Sequence, residues 1–311
     1  IQNVDHCNTN SPFDPTVAPI RQSNLCLEIA LPTKPLVGGY GKDRDDGEIA
    51  LCILAAFNLG EMHDDSDIEE CAELAVRALD EILDFQDYPH PAALHAKGRR
   101  ALGIGVVNYA YYLAKHGFNY SSENGNQLTH ELFESIQYYC LKASNKLAAE
   151  KGVCDYYHET SYSKGVMPID RYYEKTLDTF ADFPLKQDWE TLRELIRIYG
   201  LRNSTLTALM PSETSSQISN ATNGIEPPRG AVSVKASKDG IMKQVVPDIG
   251  KVEYEFLWNI PDNTGYLQKC GIMQKFIDQA ISANTNYDPS KFENRRVPMK
   301  VILRDLLTAY Q

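Results

Sequence analysis

No C-x-x-C pair occurs in the 311-residue sequence, and its seven cysteines (Cys7, Cys26, Cys52, Cys71, Cys140, Cys154, Cys270) are scattered and odd in number. That excludes a disulfide framework and a Cys-based zinc site, and it points to a reducing compartment with free thiols. Positive charge is scarce: 31 Lys and Arg stand against 42 Asp and Glu, a net charge of −11 and a pI near 5.2. Broad binding to a phosphate backbone is excluded, although one local anion site is not. No apolar run approaches the ~20 residues that span a bilayer. No basic segment followed by an apolar one marks a secretion signal. The sequons at Asn119, Asn203 and Asn220 therefore read as chance matches. The expectation is a cytoplasmic protein with no nucleic-acid or membrane partner.

Several catalytic patterns are missing. H-E-x-x-H is absent, because His130-Glu131 and His158-Glu159 each lack the second His. G-x-S-x-G and G-x-x-x-x-G-K-[ST] do not occur, and "GIGVVN" from Gly103 lacks the third Gly of a dinucleotide fingerprint. The seven His are dispersed, and the acidic run 61–70 reads as a solvated helix start, so no metal site is expected.

What is present is ordinary globular material, 43% hydrophobic and 23% charged, long enough for a large core. Periodicity predicts a strand over 22–31, a charged loop with Gly38, Gly39 and Gly41 over 32–48, and a buried strand from Ile49. Helices are predicted over 64–85, 128–151, 189–199, 264–283 and 297–310. "RRALGIGVVNYAYYLAKHG" reads as a turn and then a helix ending at Gly117. A Tyr-rich irregular stretch covers 152–186, and a hairpin turns at Lys238-Asp239-Gly240. Strands alternating with helices predict an α/β fold. The chain opens on Ile1 and stops inside an amphipathic pattern, so a piece of a longer polypeptide is expected.

Three stretches carry candidate chemistry. In "SNLCLEI", polar and apolar residues alternate, which puts Asn24, Cys26 and Glu28 on one strand face about 7 Å apart. A half-buried strand with a polar outer face would explain this. Against it, free Cys prefers burial. A nearby carboxylate also disfavours a thiolate nucleophile and suits a neutral thiol in hydrogen-atom chemistry. From spacing alone the two readings are even. Cys52, within "ALCILAAF", reads by spacing as a small core residue; a redox role needs a second Cys within about 7 Å. In "ALMPSETSSQ", a β-like run ends at Pro211. Ser212, Thr214, Ser215 and Ser216 then crowd an apparent helix start with Ser212 as the N-cap. That is either an ordinary capped helix or an anion site, and the hydroxyl density favours phosphate.

Together with these, the blocks "DHCNTNSPFDP", "RQSNLCLEIALPTKP", "GEIALCILAAFNLG", "LGIGVVNYAYYLAK", "RNSTLTALMPSETSSQISNATNGIEPPRG", "SVKASKDGI" and "MQKFIDQAISANTNYDP" resemble the large (α) subunit of class I ribonucleotide reductase in its bacterial or phage form. They run through nearly the whole chain. The resemblance implies that residues 1–311 are the C-terminal portion of the catalytic barrel domain. That would be about half of a ten-stranded α/β barrel with a central finger loop, the N-terminal half and C-terminal tail being absent. It implies that Cys26 becomes a thiyl radical and abstracts the 3′ hydrogen of a ribonucleoside diphosphate. Glu28 would take the 3′-hydroxyl proton, Asn24 would bond the substrate hydroxyls, and Cys52 would be one of two reducing thiols. Pro211, Ser212, Glu213, Thr214 and Ser215 would hold the diphosphate.

No cofactor is implied in this chain. The radical would come from a metal-containing small (β) subunit, electrons from thioredoxin or glutaredoxin, and allosteric control from ATP or dATP bound in the missing part. The implied partners are the β subunit, a second α subunit, and a second chain carrying the N-terminal half if the subunit is naturally split. The family's radical-relay tyrosine pair is not Tyr310 and would lie beyond it, so the chain alone is expected to be inactive. Two other readings are another thiyl-radical reductase class (glycyl-radical or cobalamin-dependent) and a non-catalytic nucleotide-binding or assembly module of the same fold.

Overall fold

The computed structural model describes residues 1–37, 47–172, 174–238 and 240–310. The glycines and charged run predicted as a loop at 38–46 lie outside these, as does Asp239 of the hairpin turn. Among the described residues the strands form two small sheets. One pairs β1 (Ile53–Asn58) with β2 (Leu102–Val107) in parallel, and the other pairs β3 (Val232–Ser237) with β4 (Gly240–Val245) as the predicted antiparallel hairpin.

The parallel arrangement continues beyond β2. Ile104 bridges Thr207 in parallel, and Leu209 bridges Ile281 in parallel. Gln279 N–H bonds Thr207 O, Leu209 N–H bonds Ala280 O, and Ala280 N–H bonds Glu28 O. Segments 205–210, 279–282 and 28–30 are thus laid side by side from β2 outward. Parallel strands need crossover connections, and here helices supply them, as expected for α/β.

The helices follow their apolar stripes. The short α1 (Val4–Asn10) is capped by Asn3. Helix α2 (Asp65–Phe85) buries Ile68, Ala72, Val76, Leu79 and Leu83, a 3–4 residue recurrence, and Asp64 caps its N-terminus through Ser66 N–H and Asp67 N–H. It packs along α5 (Asn124–Lys151), which starts earlier than predicted. Helices α3 (His95–Arg99) and α4 (Tyr109–Lys115) flank β2, and α6 (Glu174–Ala181) sits in the Tyr-rich stretch. Helix α7 (Trp189–Tyr199) falls where predicted. After α8 (Ser215–Ile218), α9 (Thr264–Gln274) and α10 (Met299–Tyr310) close the element order, α9 ending earlier than predicted. No described helix is long and apolar enough to cross a membrane.

The strand expected to be buried from Ile49 starts at Ile53 and is mostly half-buried or exposed, with Leu54 43% exposed, and two further expectations fail. Residues 22–31 form no strand. The Asn24 side-chain oxygen accepts Ile29 N–H at 3.2 Å, the Ser23 hydroxyl donates to Ile29 O at 2.6 Å, and Leu27 takes a left-handed φ of 67°. Local side-chain bonds close the segment into a loop instead of a ladder. Second, "LGIGVV" is strand β2 and not a turn. Its glycines serve close packing: a Cβ on Gly105 would meet Ala208 O at 2.6 Å and Met210 Sδ at 2.8 Å.

Candidate active site

The loop at 24–29 presents its residues unequally. Leu25 at the tip is 96% exposed, Asn24 is exposed, Cys26 is half-buried, and Glu28 is only 2% exposed. The common face expected for Asn24, Cys26 and Glu28 therefore does not exist as a strand face. A turn closed by Leu27 N–H on Asn24 O takes its place. Asn24 Oδ1 accepts Ile29 N–H, while the single Ser23 hydroxyl proton is directed to Ile29 O at 2.6 Å and lies 3.2 Å from Oδ1 only as a secondary contact. Glu28 Oε2 is buried without a hydrogen-bond partner. A carboxylate oxygen in that state is costly, and it signals either a missing ligand or a functional demand.

Cys52 precedes β1 and is brought against this loop. It packs at the edge of a cluster containing Ile29, Ala30, Leu31 and Ala208. Its sulfur lies over Gly103, where a Cβ would come within 2.9 Å of it, and it accepts a hydrogen bond from Gln279 Nε2 at 3.5 Å. Burial pushes the Cys52 thiol up to about 12; the Gln279 donor works in the opposite direction, and the charges of Asp278 and Glu28 add to the rise. At neutral pH this sulfur is a protonated thiol, with Glu28 inside its electrostatic neighbourhood. All seven cysteines are free, and no group of three or more metal-ligating side chains gathers among the described residues.

The Ser-rich turn follows Ala208 along the chain, at the end of the segment that pairs with β2. The residues at the junction of β2 and α4 anchor it. Asn108, with a left-handed φ of 74°, accepts Thr222 N–H on its side chain, and Tyr109 N–H bonds Gly224 O. Asn223 Oδ1 accepts Ser212 N–H at 2.8 Å, and Ser212 Oγ accepts Gly224 N–H at 2.8 Å. Ser212 is thus not the helix cap: Thr214 occupies that position, without a side-chain capping bond, and Ser212 is a 4% exposed clasp between the two arms of the turn. Ser215 and Ser216 make only long hydroxyl contacts of 3.4 Å to Ser212 O and Glu213 O.

Gln279 escaped the sequence reading. Within "FIDQAIS" no spacing marks it, and only its three-dimensional neighbours do.

Residues 1–258 match the model of the ribonucleotide reductase barrel domain. The chain belongs to the ribonucleotide reductase family. It is 67% identical to ribonucleoside-diphosphate reductase 1 subunit alpha of Escherichia coli K12 and 66% identical to the subunit alpha of Haemophilus influenzae, over the whole chain and 41% of each relative. It is 49% identical to the subunit alpha of enterobacteria phage T4, over 99% of the chain and 40% of that relative. The chain thus spans about two fifths of the length of these ribonucleotide reductase subunits.

Proposed function

We infer that this chain is the part of a class I ribonucleoside-diphosphate reductase α subunit that carries the radical cysteine, contributing about half of a ten-stranded barrel with Cys26 on its finger loop. The observation that carries this is Glu28, a buried carboxylate with an unpartnered oxygen two residues from Cys26 and within electrostatic reach of Cys52. In the reaction, a thiyl radical on Cys26 takes the 3′ hydrogen atom of the ribose while the Glu28 carboxylate accepts the 3′-hydroxyl proton. The 2′-hydroxyl leaves as water. Cys52 and a second thiol supply two electrons and two hydrogens and end as a disulfide, and Cys26 returns its hydrogen to C3′.

The protonation state of Cys52 suits that role, since a thiol can deliver hydrogen and a thiolate cannot. With Ile29 N–H on Asn24 Oδ1, the amide NH2 is the end of Asn24 that meets substrate in this reading. The turn at Pro211, Ser212, Glu213, Thr214 and Ser215 receives the diphosphate. Ser212 shapes the turn, and the weakly engaged hydroxyl of Ser215 is available to the phosphates. A metal-containing β subunit generates the radical, thioredoxin or glutaredoxin restores the thiols, and ATP or dATP acts outside this chain.

The test is Cys26→Ser in the whole α subunit, assayed with the β subunit. Turnover should vanish while nucleoside-diphosphate binding persists. Turnover retained by Cys26→Ser would sink the reading, and binding without turnover in the unaltered, reconstituted subunit would favour a non-catalytic module.

A further inference from the structure

Gln279 is 6% exposed and sits where three chain segments meet. Its Nε2 donates to Leu102 O at 2.9 Å and to Cys52 Sγ at 3.5 Å, and its Oε1 accepts Ala30 N–H at 3.2 Å. Its backbone N–H bonds Thr207 O, and the next residue's N–H bonds Glu28 O at 3.0 Å. The carboxamide is therefore held at both ends. The bond to Leu102 fixes one N–H, the bond from Ala30 fixes the oxygen, and the remaining N–H has one direction left, toward the Cys52 sulfur. A neutral thiol is a weak acceptor, whereas a sulfur carrying negative charge is a strong one. A donor locked in this direction therefore does most when charge develops on Cys52.

We propose that Gln279 is a positioning residue that aims and stabilises the Cys52 sulfur during its redox cycle and couples it mechanically to the loop bearing Cys26 and Glu28. This rests on the reading of Cys52 as a reducing thiol. The step at which it acts is disulfide reduction. An incoming thiolate of a dithiol reductant attacks the sulfur bonded to Cys52, the S–S bond breaks, and its electron pair passes to Cys52 Sγ. A mixed disulfide forms on the other sulfur, and Cys52 then takes up a proton. Without the Gln279 N–H, that leaving sulfur is surrounded by burial and by the charges of Glu28 and Asp278, all of which oppose the anion. With it, the anion has one charge-assisted hydrogen bond.

The experiment compares the whole subunit with its Gln279→Met and Gln279→Glu variants. Met keeps length and removes both polar ends, while Glu keeps the acceptor for Ala30 N–H and loses the donor. Iodoacetamide labelling of Cys52 is followed by peptide mass spectrometry across alkaline pH. The expected result is labelling about tenfold slower at a given pH in Gln279→Met, the effect of one lost hydrogen bond, and slower still in Gln279→Glu, whose added charge also opposes the thiolate, with Cys7 and Cys71 labelled at unchanged rates. Steady-state turnover with a dithiol reductant should fall by a similar factor while the KM for substrate holds. First-turnover reduction by pre-reduced enzyme should fall less. An unchanged Cys52 labelling profile in a folded variant overturns the proposal, and Gln279→Glu keeps it testable if Gln279→Met does not fold. A separate Cys52→Ser variant isolates the underlying reading: turnover retained there removes the redox role of Cys52, whatever Gln279 does.

Discussion

The sulfur of Cys52 occupies the space a side chain on Gly103 would take. A Cβ there would lie 2.9 Å from Cys52 Sγ, 2.5 Å from Leu54 Cδ2 and 3.3 Å from Ala208 Cβ. Gly103→Ala should overpack this junction, cost about 1–3 kcal/mol, and displace the Cys52 sulfur. Denaturant unfolding and Cys52 alkylation, measured together, check this; unchanged values in both would contradict it.

Ser212 and Ser215 should separate structure from binding. Ser212→Ala leaves Gly224 N–H buried without its acceptor, at a cost of about 1–3 kcal/mol in unfolding free energy. Ser215→Ala should leave stability within about 0.5 kcal/mol, as expected for a hydroxyl making only a long contact, and should raise KM for the nucleoside diphosphate. Steady-state kinetics beside thermal unfolding distinguishes the two. A KM unmoved by Ser215→Ala would remove that hydroxyl from the diphosphate site.

Asn24→Asp retains an oxygen for Ile29 N–H but has no NH2 to offer substrate. Stability should stay near that of the unaltered protein, and turnover should drop about tenfold or more, the effect of one lost hydrogen bond. Asn24→Ala should lose both, about 1 kcal/mol of stability included. Equal turnover in the unaltered protein and Asn24→Asp would count against an amide contact with substrate.

His130 gives the protein an acid-sensitive element. It is fully buried against Phe183 and Phe276, and burial followed by the Lys275 charge depresses it from 6.5 to about 4. The unfolded chain therefore binds more protons than the folded one between about pH 4 and 6.5, and stability falls as pH drops through that window. In His130→Gln, the slope of unfolding free energy against pH over that range should be shallower by up to one proton. An identical slope would show that His130 does not supply the proton.

The helices were legible because burial repeats every three or four residues along them. Helix α7 coincides with its predicted span, and α2 differs only by its Asp64 cap. The region around the site was less legible for two physical reasons. Alternation in "NLCLEI" looks like a strand, but Asn24 and Ser23 bond their own neighbours, and nothing in a period-2 pattern reports such bonds. In "LGIGVV" the glycines suggested a turn, while their use is to admit segment 208–210, a contact between distant parts of the chain. The candidate residues were nameable before their geometry was. Cys26 and Glu28 stood out by alternation and Cys52 only through the family resemblance, but burial of the Glu28 carboxylate and the Gln279 link required the fold.

The loop that carries Cys26 is tied by bonds among its own residues, Ser23, Asn24 and Ile29, while its tip, Leu25, touches almost nothing. Its tip is thus shaped from within, and only its base, where Ala280 N–H bonds Glu28 O, is moored to the sheet. Such a loop behaves like a pin set in a board: whatever meets Leu25 finds a shape that its own residues hold.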